Sequence, residues 1–357
     1  MGIAVSSRDV LFTGGVPNPT AEENFRILAN AVGARAPAYP DGEVGDRRYW
    51  ISALGRVVWS KVEGLEEIPN PLPEGHPAAG ALKSYRLKTG VSRLNLDGLL
   101  PYARDAIASY AVFQRLRGEG VIAPGVRFQM SVPAAHDAVA IYFPHPADWP
   151  TVMSAWSQHL RAEFRRMLEV IPANDLLIQI DYCTELVHMA GYIHKFANWA
   201  PDEPPEKTFT TYTDAHYLSA HVGQLPQDVL LGYHICAGTW PEQPNAELKD
   251  LALPVRVANA LAANSGRRVD YFHLPVMRES GSQYFKPLAD LNVGDAAIYL
   301  GLECNDGHEA MQRRIDAAKQ TMSGFGVAHY CGYTLQADIL PQVLADLATG
   351  ANYNGRK

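Results

Sequence analysis

The chain has 357 residues, 47% of them hydrophobic and 19% charged, a balance that excludes a mostly disordered protein. Its 31 Lys and Arg against 38 Asp and Glu leave a formal charge of −7, which argues against nucleic acid and anionic membrane as partners. No apolar run approaches the ~18 residues that a membrane span needs.

In chain order, the first apolar run is Val10–Thr13. A helix follows it. Thr20 and Glu23 have capping-box spacing, Phe25, Leu28 and Val32 share one face, and Gly33 can stop the helix. The second strand is Ala36–Tyr39. Residues 51–97 break the pattern with Pro, Gly and charge, as in Pro69-Asn70-Pro71-Leu72-Pro73-Glu74-Gly75, and are read as an excursion or lid-like insertion, a hairpin being one option. A helix carrying Tyr102, Ala106, Tyr110 and Phe113 leads to the strand Val126–Val132. Val152, Trp156, Leu160 and Phe164 form the stripe of the next helix, before the strands Leu176–Ile180 and Val229–Tyr233. Leu251, Val255, Ala258 and Leu261 mark a helix before Val269–Phe272 and Ala297–Leu302. Met311, Ile315 and Ala318 mark the helix before Gly326–His329. Eight strands that are apolar almost throughout, alternating with helices, predict a parallel sheet covered on both faces. At this length they predict one domain over 1–357, a single (β/α)8 TIM barrel with the excursion between strands 2 and 3.

The start, Met1-Gly2-Ile3-Ala4-Val5-Ser6, lacks the pattern of a secretory signal, and the four cysteines are too few for a disulfide scaffold. The expected location is cytoplasmic, which leaves the cysteines available for metal or catalysis.

Parallel barrels carry their sites where the strands end. Here those ends hold Asp41 and Glu43, Asp181, His234 and Cys236, His273, Glu303 and Cys331. On a strand, residues two apart share a face, so the imidazole of His234 and the thiol of Cys236 can reach one ion. Cys331 ends the eighth strand, which faces the fifth across the mouth. Thiolates with imidazole select zinc over magnesium or calcium. His273 and Glu303 compete as fourth ligand, and Glu303 is also a candidate acid catalyst. Asp181 is a candidate base, substrate anchor or partner of a ligand histidine, or else a helix cap. Asp41 joins it as a candidate catalytic acid, and Glu43 as a substrate contact. Arg47 or Arg48 can clamp a carboxylate, phosphate or sulfonate, Trp50 can stack on a ring, and Tyr233 and Trp240 flank the His-x-Cys as candidate pocket walls. Cys183 and Cys304 are assigned to packing. Walker, Gly-x-Gly-x-x-Gly and Gly-x-Ser-x-Gly motifs are absent.

Four pieces carry a family resemblance: Gly14-Gly15-Val16-Pro17, Leu177-Ile178-Gln179-Ile180-Asp181, His234-Ile235-Cys236 and Tyr330-Cys331-Gly332. In order and spacing they resemble the barrel of cobalamin-independent methionine synthase. Its relatives include the epoxyalkane:coenzyme M transferases and, without zinc, uroporphyrinogen decarboxylase. The resemblance runs over about residues 11–347. It implies a zinc held by His234, Cys236 and Cys331 that activates a thiol for transfer of a methyl group or an epoxide-type carbon. Two departures stand out. The strand after His-x-Cys ends in His273 where the synthases place a glutamate, and Asp181-Tyr182-Cys183 replaces an Asp-Glu-Pro run. The expected partner is a small molecule, a thiol among the options, with self-association left open. The rival readings are a zinc-dependent lyase or hydrolase acting on a C–C or C–O bond, and a metal-free decarboxylase-like barrel or binder.

Overall fold

The computed structural model describes residue 5 and residues 8–353, apart from 70–82, 196, 198, 239–243, 335 and 336. Its strands are β1 (Val10–Leu11), β2 (Ala38–Pro40), β3 (Leu65–Ile68), β4 (Ser84–Leu87), β5 (Arg127–Pro133), β6 (Leu176–Tyr182), β7 (Leu230–Ile235), β8 (Tyr271–Leu274), β9 (Ala297–Glu303) and β10 (Gly326–His329). Eight of them pair in the order β1-β10-β9-β8-β7-β6-β5-β2, every pair parallel. The order begins and ends on the first two strands of the chain, so the sheet curls into a nearly closed (β/α)8 TIM barrel. The excursion is anchored by an antiparallel hairpin, β3 with β4, that pairs Leu65 with Leu87.

The helices form where the periodicity places them. Thr20 caps Ala21–Val32 through the full capping box, and Gly33 follows with φ 54. Phe25 on that helix packs against Phe113 at 5.3 Å and Phe128 at 6.3 Å, joining two helices to β5. Truncating so central a ring to alanine costs about 3–5 kcal/mol. The stripe headed by Val152 and Trp156 lies on Trp149–Leu168, where both are buried.

Strand alternation sorts the core into two parts. Ile178, Ile180, Leu231, Tyr233, Ile235 and Phe272 face outward into the shell under the helices. Leu177, Leu230, Tyr271, Ala297 and Tyr299 face inward and plug the lower barrel. Above this plug lies a polar layer. The Gln129 amide donates to the Phe12 carbonyl, the Gln179 amide to the Thr13 carbonyl, and the Tyr271 hydroxyl to Gln179 Oε1. The next inward positions up the strands are Asp181, His234 and His273. The register sets Asp181 beside His234 and His234 beside His273.

Candidate metal centre

The ligand atoms of His234, Cys236 and Cys331 lie within 4.8 Å of one another. Cys331 Sγ is 3.9 Å from Cys236 Sγ and 3.9 Å from His234 Nε2. A tetrahedral zinc with bonds of about 2.3 Å to sulfur and 2.0 Å to nitrogen holds such atoms about 3.5–3.8 Å apart. The donor set therefore fits a zinc-sized ion with a contraction of a few tenths of an ångström. Contact with Cys183 and burial push the Cys236 thiol up, and contact with Cys236 and burial push Cys331 up. Holding both as thiolates calls for a cation. The Gly238 N–H, 3.4 Å from Cys236 Sγ, adds a backbone donor.

His273 stands behind His234 and not beside the thiols. Its Nε2 lies 3.1 Å from the His329 carbonyl, so it carries the proton. Burial pushes its pKa down to about 3, so Nδ1 is bare and accepts. His234 Nδ1 lies 2.8 Å away and must be the donor. The tautomer of His234 is thereby fixed, with the lone pair of Nε2 turned to the sulfurs. Both nitrogens of His273 are spent, which corrects the expectation of a fourth ligand there. Gly301 makes room for it, since a Cβ at that position would sit 3.0 Å from His273 Nε2.

Glu303 also stands back from the trio. Its Oε1 accepts from the Asn305 N–H at 2.9 Å, and its Oε2 lies 3.3 Å from His329 Nε2. His329 Nδ1 in turn meets the Cys331 carbonyl at 2.6 Å. Burial drives the His329 pKa down to about 3 and that of Glu303 up to about 7, which disfavours an ion pair; among the described residues Glu303 Oε2 makes no hydrogen bond, and His329 Nε2 lies 2.8 Å from Asn305 Oδ1.

Asp181 sits at the mouth beside His234. It accepts from Trp50 Nε1 at 3.0 Å and from Gln179 Nε2 at 2.8 Å. Burial, then the nearby Glu43, raise its pKa well above the usual carboxylate range. Burial likewise takes Glu43 to about 8. Trp50 and Glu43 have φ of 48 and 56, a left-handed backbone that non-glycine residues rarely adopt. Both line a small open cleft with Tyr102, Ser131 and Pro133. A second open cleft reaches Cys236 between Met277, Arg278, Cys304 and Tyr330.

Other expected residues are engaged elsewhere. Asp41 accepts from Arg47, from Ser109 Oγ at 2.7 Å and from the Glu43 N–H at 2.9 Å. Arg47 also binds Asp105 at 3.1 Å. Asp41 and Arg47 thus form a buried brace with no free charge for a ligand. Arg48 donates to the Pro17 carbonyl. Tyr233 faces the helix layer, stacked on Phe272 at 5.9 Å with its hydroxyl 2.9 Å from Ser265 Oγ, because it is one residue out of phase with His234. Trp240 lies outside the described residues. Sequence reasoning passed over His329, whose Nδ1 meets the Cys331 carbonyl, and assigned to packing Cys183, which is buried. The signal for His329 was its place at the end of β10, two residues before Cys331.

Among the described residues no helix is long and apolar enough to cross a membrane. No family model matches the chain, and no curated protein matches it. Among solved structures the chain is similar to a B12-independent methionine synthase from Shewanella sp. W3-18-1 in complex with selenomethionine, with a TM-score of 0.61, 12% identity and 97% of each chain covered. At that identity the likeness shows a shared fold: the chain is a barrel built like that of a methionine synthase.

Proposed function

We propose that this chain is a zinc-dependent transferase that activates a small thiol for transfer of a methyl group or an epoxide-type carbon. The observation that carries the reading is the trio itself: one imidazole and two thiols, drawn from β7 and the end of β10, at zinc-ligand spacing in the barrel mouth. Zinc bound there would lower the pKa of a substrate thiol and hold it as a nucleophile at neutral pH. The other residues have separate parts. His273 orients His234. Asp181, whose pKa burial raises, is the candidate proton donor to a leaving group. The cleft between Met277 and Tyr330 admits a substrate to the sulfur side of the site. A methionine synthase of the same fold supports methyl transfer as the chemistry. The replacement of the Asp-Glu-Pro run by Asp181-Tyr182-Cys183 argues for substrates other than those of methionine synthesis.

The test is metal analysis of the purified protein followed by cobalt substitution. One equivalent of zinc is expected, together with a sulfur-to-cobalt band that responds to small thiols. A protein that binds no zinc or cobalt at micromolar concentration would overturn the reading.

A further inference from the structure

Of the trio, Cys331 has the least support from the sheet. His234 lies within β7, paired on one side with β6 and on the other with β8. β10 ends at His329, two residues short of Cys331. Cys331 is also the one cysteine of the four that is not fully buried. Its thiol needs some other restraint, and β9 supplies it. Val327 of β10 meets Leu300, but His329 meets Glu303, so three steps along β9 answer two along β10. A bulge of this kind bends the strand and re-aims the residues that follow it. Asn305 follows, with φ 58. Asparagine enters that left-handed region more readily than most residues that carry a Cβ.

From there Asn305 reaches across the end of β10. Its Nδ2 donates to the Tyr330 hydroxyl at 3.3 Å, and its Oδ1 lies 2.8 Å from His329 Nε2. Its own N–H is tied back to Glu303 Oε1 at 2.9 Å, while the Glu303 carbonyl accepts from the Tyr330 N–H at 3.0 Å. The other side of the His329 ring meets the backbone of Cys331, with Nδ1 3.3 Å from its nitrogen and 2.6 Å from its carbonyl oxygen. One amide therefore grips both residues that precede the thiol.

We propose that Asn305 is a positioning residue of the metal centre: its side chain clamps His329 and Tyr330 and so sets where the Cys331 thiol stands. The inference rests on the zinc reading above for what that thiol binds, whereas the clamp itself needs no metal. Backbone and clamp can be separated by experiment, because glycine takes a positive φ without steric cost and has no amide to offer.

The test is Asn305→Gly, read first in EDTA by the rate at which iodoacetamide labels each cysteine, followed by peptide mass spectrometry. Labelling of Cys331 is expected to be several-fold faster than in the unmodified chain, with the buried Cys183 and Cys236 unchanged. With metal restored, zinc affinity is expected to fall about 10–100-fold by chelator competition. A Cys331 rate no faster than before, or a rise shared equally by all three cysteines, overturns the proposal. So does an unchanged affinity in a chain that binds zinc. Should Asn305→Gly not fold, Tyr330→Phe removes one arm of the same clamp and leaves the backbone alone; faster labelling of Cys331 there supports the assignment and an unchanged rate overturns it. A chain that takes up no metal refutes the zinc reading, and the labelling rates still decide for or against Asn305.

Discussion

His234 donates from Nδ1 to Nδ1 of His273 across 2.8 Å, and the His273 Nε2 proton is committed to the His329 carbonyl. The chain of two bonds leaves the lone pair of His234 Nε2 only one direction, toward Cys331. His273→Phe removes the acceptor and frees the His234 ring to take the other tautomer. Zinc affinity is expected to fall about 10–100-fold, measured by competition with a chromophoric chelator. An unchanged affinity would mean that the second histidine only fills space.

The four cysteines divide by environment. Cys236→Ser or Cys331→Ser is expected to take bound zinc from one equivalent to near none by elemental analysis. Cys304 points instead at the carbonyls of Gly301 and Val276, at 3.6 and 3.7 Å. Cys304→Ser is expected to keep the metal. Full zinc in Cys331→Ser would remove that residue from the centre.

Glu303 gives a pH dependence with a definite sign. Its folded pKa of about 7 lies above the ordinary 4.5 because burial disfavours the charge. The native state therefore binds the extra proton between those values. The stabilisation is full below about pH 4.5 and lost as pH rises through 7. Asp137, raised by burial to about 7, and Glu43, at about 8, act in the same direction. The buried His136, His188, His221, His234, His273 and His329, lowered by burial, act in the opposite direction, so the Glu303 contribution is read as a difference between variants. In EDTA, the urea midpoint of the unmodified chain relative to that of Glu303→Gln is expected to decline from pH 5 to pH 8, and a difference that climbs over this range would contradict the assignment.

Gly301→Ala tests the space behind the site. The added Cβ would lie 2.9 Å from the Tyr330 Cα and 3.0 Å from His273 Nε2. One neighbour is backbone and the other a committed ring, so neither yields cheaply. A loss of about 1–3 kcal/mol in unfolding free energy is expected, with weakened zinc binding in the same variant. Denaturant unfolding that matches the unmodified chain would show that the ring can move.

The barrel was legible because its strands are buried on both faces, which leaves nearly unbroken apolar runs such as Leu176–Ile180. The trio was legible for a related reason: strand period two pairs His234 with Cys236, and closure of the ring brings Cys331 across. The neighbours of the trio were less so. The part played by His273 depends on which of its nitrogens meets the His329 carbonyl, 56 residues away. Arg47 is neutralised by Asp105, 58 residues on, a pairing with no local signature. Tyr233 was misplaced although alternation alone turns it outward.

The two thiols of the trio stand 95 residues apart in the chain, and the second arrives with the last strand to be made. An ion could be captured only after the circle of strands has been completed. Metal uptake would then be a late event in assembly, and it would brace the ring between β7 and β10 once both have docked. A fragment ending before β10 would present an imidazole and a thiol with nothing to close over them.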